Sequence, residues 1–188
     1  MPKPSWKFLS IAFLIVPLFV PGNIIAATGR SGTDSIQVRA AYSLGVPTRI
    51  IVPSIGLDAP IQDVGLNARG EMDVPAGTTN NVGWYQFGTV PGQIGSAVLD
   101  AHVFAAFSKL KYLKTGSMIT IETSDGKTLE FKVTDSEVYK LTDVPLQLLF
   151  SRNDTRRLNL ITCAGNLVPD RSTYDHRLIV YTKLVHQS

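Results

Sequence analysis

The chain carries one cysteine, Cys163, and three histidines, His102, His176 and His186. A thiol is a nucleophile only as thiolate, so a working cysteine needs a proton acceptor and usually a cation close by. A free thiol ionises near pH ~8.5 and a free imidazole near ~6.5, so an unassisted pair at neutral pH is mostly thiol and neutral imidazole, with a minority of the reactive ion pair. A guanidinium does not lose its charge, so it can favour thiolate and oxyanion while leaving proton transfer to histidine. The chemistry to look for is therefore thiolate attack on a carbonyl, assisted by one histidine and one arginine.

Spacing narrows the choice of partners. Leu158, Leu160 and Thr162 alternate with Asn159, Ile161 and Cys163, and Ala164-Gly165-Asn166 closes the run, which predicts a strand ending at a turn with the thiol at a rim. His102 ends the apolar run 95–102 ahead of a loop, the same kind of position. His186 lies at the C-terminal end and is set aside. His176 and Arg177 are neighbours in the last apolar run, so strand alternation turns them to opposite faces. If Arg177 faces Cys163, His176 faces away, which favours His102. Taken singly, each residue has a plainer reading: a small core cysteine, a hydrogen-bonded structural histidine, and an arginine paired across strands with Asp175 or Glu130.

The elements that must position these groups are mostly strands. Residues 48–53 and 59–64 are β-branched runs around Gly56, residues 81–87 contain Trp84 and Tyr85, and residues 118–123 and 128–133 flank Ser124-Asp125-Gly126-Lys127, an Asp-Gly hairpin signal. Trp84 and Tyr85 read as core or as the wall of a groove. Residues 104–113 carry Phe104, Phe107, Leu110 and Leu113 at helical spacing, and Asp143 with Pro145 starts a second short helix through Phe150. Residues 174–185 form a long final strand. Seven or eight short strands with two brief helices predict a mainly antiparallel barrel, because closure removes open edges.

Composition sets the compartment and excludes several classes. The 188 residues suffice for one domain with its own core and a short extension. A formal charge of +3 with scattered Lys and Arg gives no footprint for nucleic acid. One cysteine excludes an internal disulfide and a Cys-rich zinc site, and no cluster of metal-ligating spacing occurs. Lys3 and Lys7 precede an apolar run over residues 8–20 that resumes at Ile24-Ile25-Ala26-Ala27, the pattern of an export signal. Residues 1–27 read as a signal anchor or a signal peptide, with the uncleaved anchor favoured, and the two lysines place the N-terminus inside and the domain outside. Residues 28–45 read as a flexible linker and residues 46–188 as the folded domain.

In this order and spacing the motifs resemble the sortase transpeptidases. Leu160-Ile161-Thr162-Cys163 is similar to their Thr-x-Thr-Cys-type segment, His102 after a small residue to their histidine, and Arg177 before Ile179-Val180-Tyr181 to their arginine. Arg49-Ile50-Ile51-Val52-Pro53, Val82-Gly83-Trp84-Tyr85, Pro91-Gly92 with Gly95-Ser96-Ala97-Val98, and the spacing of Phe107, Leu110, Leu113 and Gly116 extend the likeness, most closely to classes E and F. Ala101 stands where many sortases have glycine, and Ser117 where an acid is common. The resemblance implies a closed eight-stranded β-barrel with a catalytic domain over residues 46–188. It implies that Cys163 attacks the Thr–Gly bond of a Leu-Pro-x-Thr-Gly-like sorting signal, that His102 protonates the leaving amine and that Arg177 stabilises the oxyanion. The expected partners are surface proteins bearing that C-terminal signal and an amine of a cell-wall precursor or pilin; the expected location is the membrane, through the N-terminal segment; no cofactor is implied. The alternatives are a thiol hydrolase of surface peptides and a non-catalytic peptide-binding barrel.

Overall fold

The computed structural model describes residues 45–150, 154–168 and 173–188. The export signal and all but the last residue of the linker lie outside them. Eight strands follow in order: β1 (Pro47–Val52), β2 (Leu57–Val64), β3 (Val82–Tyr85), β4 (Gly95–Asp100), β5 (Met118–Thr123), β6 (Thr128–Lys140), β7 (Arg156–Val168) and β8 (Thr173–Gln187). They close into a barrel ordered β1-β2-β3-β4-β7-β8-β6-β5, the fold class the sequence predicts. Among the described residues no helix is long and apolar enough to cross a membrane.

Two of the pairings are parallel, and they organise everything near the cysteine. β4 runs parallel to β7, from Gly95↔Arg156 to Asp100↔Ile161, so the C-terminal ends of both strands emerge at the same mouth. β7 and β8 are antiparallel, which brings the start of β8 to that mouth too. β2 and β3 are also parallel. Parallel neighbours require a crossover, because the chain must return along the whole strand before pairing again. Residues 65–81 supply it, folding into a small hairpin where Leu66 bridges Met72 and the Asp73 amide bonds the Gly65 carbonyl at 2.9 Å.

Alternation divides the side chains between two apolar layers. Inside the barrel, Ala97, Leu99 and Ala101 of β4 and its end, Leu158 and Leu160 of β7, and Leu178 and Val180 of β8 join Phe107, Ile119, Ile121 and Phe131. Full burial of each large side chain is worth about 1.5–3 kcal/mol. On the outer surface Val98, Ile179 and Tyr181 meet Leu149 of α1 (Leu146–Phe150), with Met72, Tyr85 and Ile161 packed beside them. Asn159, fully buried within an apolar run, holds this helix in place: its Nδ2 donates to the Leu149 carbonyl at 2.7 Å. Trp84 is core, at 3 % exposure, while Tyr85 belongs to the outer layer.

Local differences from the sequence reading have physical causes. Residues 104–113 turn as i→i+3 bonds, Ala105 to His102, Ser108 to Ala105 and Leu113 to Leu110, ending in a 3-10 turn Leu110–Tyr112. Phe107, Leu110 and Leu113 are buried there but Phe104 is not. β6 continues past Val133 to Lys140 because its polar, exposed second half pairs with β8 around a register shift at Val133/Asp135. β7 passes Cys163 instead of stopping, and pairs again with β8 at Leu167↔Tyr174 after a shift between Ala164 and Leu167.

Candidate active site

Cys163 lies on the outer surface of β7, one alternation step beyond Ile161, and is half-buried. Its direct partner across the antiparallel pair is Arg177. Residues opposed in this way project to the same face with Cβ atoms about 4.5–5.5 Å apart. On the far side of β8, Tyr139 of β6 is the partner of Arg177. The Tyr139 hydroxyl donates to Glu137 and accepts from Tyr181 at 3.2 Å. Arg177 itself donates to the carbonyls of Tyr174 at 3.0 Å and His176 at 2.9 Å, and to the Thr173 hydroxyl at 3.0 Å. Its charge also contributes, after bonds from Asn67 and Arg69, to holding Glu71 of the crossover hairpin below the usual carboxylate range.

His102 reaches the same mouth from β4. It stands two residues past Asp100, as Cys163 stands two past Ile161, the partner of Asp100. A cross-strand bond fixes this end of the pair: the buried Thr162 hydroxyl donates to the Ala101 carbonyl at 2.7 Å. Ala101 and Thr162 face inward, so His102 and Cys163 face outward together. The imidazole is held on two sides. Its Nε2 donates to the Pro75 carbonyl at 2.9 Å, and its ring stacks on Phe104 with centroids 4.8 Å apart and planes 12° from parallel.

His176 is excluded from this group. Its Nδ1 bonds the Asp175 carboxylate at 2.7 Å, and that bond, with one from the Asn166 amide, holds Asp175 below the usual carboxylate range. The pair lines a hollow of about 300 Å³ with Lys140, Thr142, Thr173 and Tyr174 that includes neither Cys163 nor His102. Among the described residues no cluster of metal-ligating side chains occurs.

A thiol, an imidazole with a fixed Nε2 and a guanidinium thus share one outward face at the mouth where three adjacent strands meet. The family model described as the sortase domain matches residues 50–185. The chain belongs to the sortase family. Its fold is that of solved sortases at low identity. Sortase C from Clostridium perfringens SM101 superposes with a TM-score of 0.56 at 21% identity, covering 76% of this chain and 71% of that one. Sortase C2 of pilus island 1 from group B Streptococcus gives 0.55 at 22%, covering 74% and 73%. The SrtA sortase from Actinomyces oris gives 0.57 at 21%, covering 78% and 83%. No curated protein matches.

In this sortase two structural features near the cysteine escape the sequence reading. Gly165, two residues past the thiol, has φ 78°. A Cβ there would collide with the Asp175 carboxylate and stand 2.6 Å from His176 Nδ1. Gly165→Ala should therefore lower stability by about 1–3 kcal/mol, from left-handed strain and displacement of the Asp175–His176 pair. Thermal unfolding of the purified domain measures this, and an unchanged Tm would contradict it.

The second is Asp100, an acid at the end of the apolar strand β4. It is 6% exposed and its Oδ1 has no hydrogen-bond partner among the described residues. Burial, reinforced by Asp73, pushes its carboxyl up to about 8. Because the folded state keeps a proton that the unfolded chain releases near pH ~3.9, this group's contribution to stability is full below that value and is lost as pH rises to about 8.

Proposed function

We propose that this sortase is a cysteine transpeptidase in which Cys163 is the nucleophile, His102 the general acid and base, and Arg177 the oxyanion-stabilising cation. The convergence of the three side chains supports the reading most directly: Cys163 opposes Arg177 in register, and the Thr162–Ala101 bond ties the residues just before Cys163 and His102. The Cys163 thiolate attacks the Thr carbonyl carbon of a Leu-Pro-x-Thr-Gly-like signal. The oxyanion collapses as the Thr–Gly bond breaks, and the glycine amine leaves with a proton from the His102 imidazolium. An incoming amine loses its proton to His102, attacks the thioester and expels the thiolate. With Nε2–H engaged by Pro75, Nδ1 is the nitrogen that carries the exchanged proton.

The wider reading follows the family. Residues 46–188 form the catalytic domain, tethered outside the membrane by residues 1–27 through the linker 28–45. The substrates are surface proteins carrying a C-terminal sorting signal, and the acceptor is an amine of a cell-wall precursor or pilin. The class E or F assignment rests on the motifs alone. The test is incubation with a Leu-Pro-x-Thr-Gly peptide and a small amine. An amide product that depends on Cys163 is expected. An acid product in excess amine would instead favour a hydrolase, and peptide binding with no product a non-catalytic barrel.

A further inference from the structure

The crossover segment that covers β4 rests on an acid that the mechanism does not use. Asp100 pairs directly with Gly83 of β3, and its carboxyl fills the space a side chain there would need. A Cβ on Gly83 would lie 2.5 Å from Asp100 Oδ1, 2.9 Å from a Val64 methyl and 3.1 Å from Pro75 Cδ. Carboxyl, methyl and proline ring thus share one small hollow. Pro75 is buried over it, and the carbonyl of the same residue accepts from His102 Nε2 at 2.9 Å. Asp100 and His102 lie on one face of the same strand end, two residues apart.

We propose that Asp100 is a positioning residue for His102, acting through Pro75: the carboxyl seated over Gly83 supports the proline whose carbonyl orients the imidazole. The inference builds on the reading of His102 as the site's acid and base. A carbonyl occupies the place that a carboxylate takes in a Ser-His-Asp triad, so the tautomer is set by main chain, and its placement depends on what lies beneath. An ionised carboxylate with an unbonded oxygen in this hollow would be an unpaired buried charge. Ionisation therefore drives the hollow open, and Pro75 moves off the imidazole.

The charged and titratable neighbours set the direction. Asp73 of the crossover opposes ionisation of Asp100. On β3 Gly83 pairs with Asp100 and Tyr85 stands two residues on in the outer layer, while a Val64 methyl of β2 lies in the same hollow. His102 lies one step toward the mouth, with Cys163 and Arg177 beyond it on β7 and β8. Burial of the carboxyl is the largest influence, and with Asp73 it places ionisation near pH 8.

The experiment is nitrogen NMR of the imidazoles, with His102 assigned by His102→Gln, in the wild-type chain and in Asp100→Asn. Asparagine fills the same hollow but cannot ionise. The wild-type chain is expected to lose its protonated, hydrogen-bonded Nε2 signal with a midpoint near pH 8, while Asp100→Asn keeps it at higher pH. Asp100→Ala, which empties the hollow, should lose that signal at neutral pH and, in the transpeptidation assay, fall about tenfold or more in kcat with a smaller change in KM. The same pH dependence in the wild-type and Asp100→Asn chains, or an intact Nε2 signal in Asp100→Ala, would overturn the proposal. The spectra need no turnover, so they judge this inference even if the assigned chemistry fails.

Discussion

Cys163→Ser is expected to leave the barrel folded and to abolish transpeptidation, by roughly four orders of magnitude or more. Oxygen and sulfur fit the half-buried site on β7 alike, so thermal unfolding should barely change. The difference lies in the proton. An alcohol holds its proton far more tightly than a thiol, and a serine nucleophile relies on a histidine strengthened by a carboxylate. Here His102 Nε2 meets the neutral carbonyl of Pro75. Arg177 is the register partner of residue 163, and its fixed positive charge favours an anion there, but it cannot accept a proton. Steady-state transpeptidation with matched peptide binding measures the effect. A serine variant within tenfold of the wild type would show that the thiol is not the nucleophile.

Arg177→Lys is the second large effect, a fall in kcat of about 10²–10³ with a smaller change in KM. Lysine preserves charge but not the planar fork. The Arg177 guanidinium is braced by the Tyr174 and His176 carbonyls and the Thr173 hydroxyl, which fixes its plane at the start of β8. An ammonium on a flexible stem cannot keep those bonds and still present a directed N–H to an oxyanion. A fall in kcat/KM caused by KM alone would move Arg177 from the reacting centre to ground-state binding.

Much of this arrangement is legible in the sequence because strands encode facing. The alternation through Leu158 to Cys163 separates an inner from an outer face, and the adjacency of His176 and Arg177 forces a choice between them. The Asp125-Gly126 hairpin is local and reads directly. What the sequence hides is non-local. Nothing in residues 95–102 or 158–163 says that β4 and β7 are parallel neighbours, yet that pairing brings His102 beside Cys163. The continuation of β7 past Gly165 is hidden too, because a glycine after an apolar run ordinarily marks a turn. Here its positive φ and missing side chain let the ribbon accommodate Asp175 and go on. Pro75 acts through its main chain, which no residue pattern advertises. Asp100 did leave a signal, an acid among Ala97, Val98, Leu99 and Ala101, but its meaning requires knowing that a glycine faces it.

The most direct test of the central claim is the mass of the intact protein after brief exposure to a Leu-Pro-x-Thr-Gly peptide without added amine, followed by peptide mapping. A covalent adduct equal to the peptide minus its glycine-side fragment is expected on Cys163, formed by the wild-type chain and released as an amide when an amine is supplied. An unmodified Cys163 across a range of sorting peptides, or an acyl group found on any other residue, would contradict it.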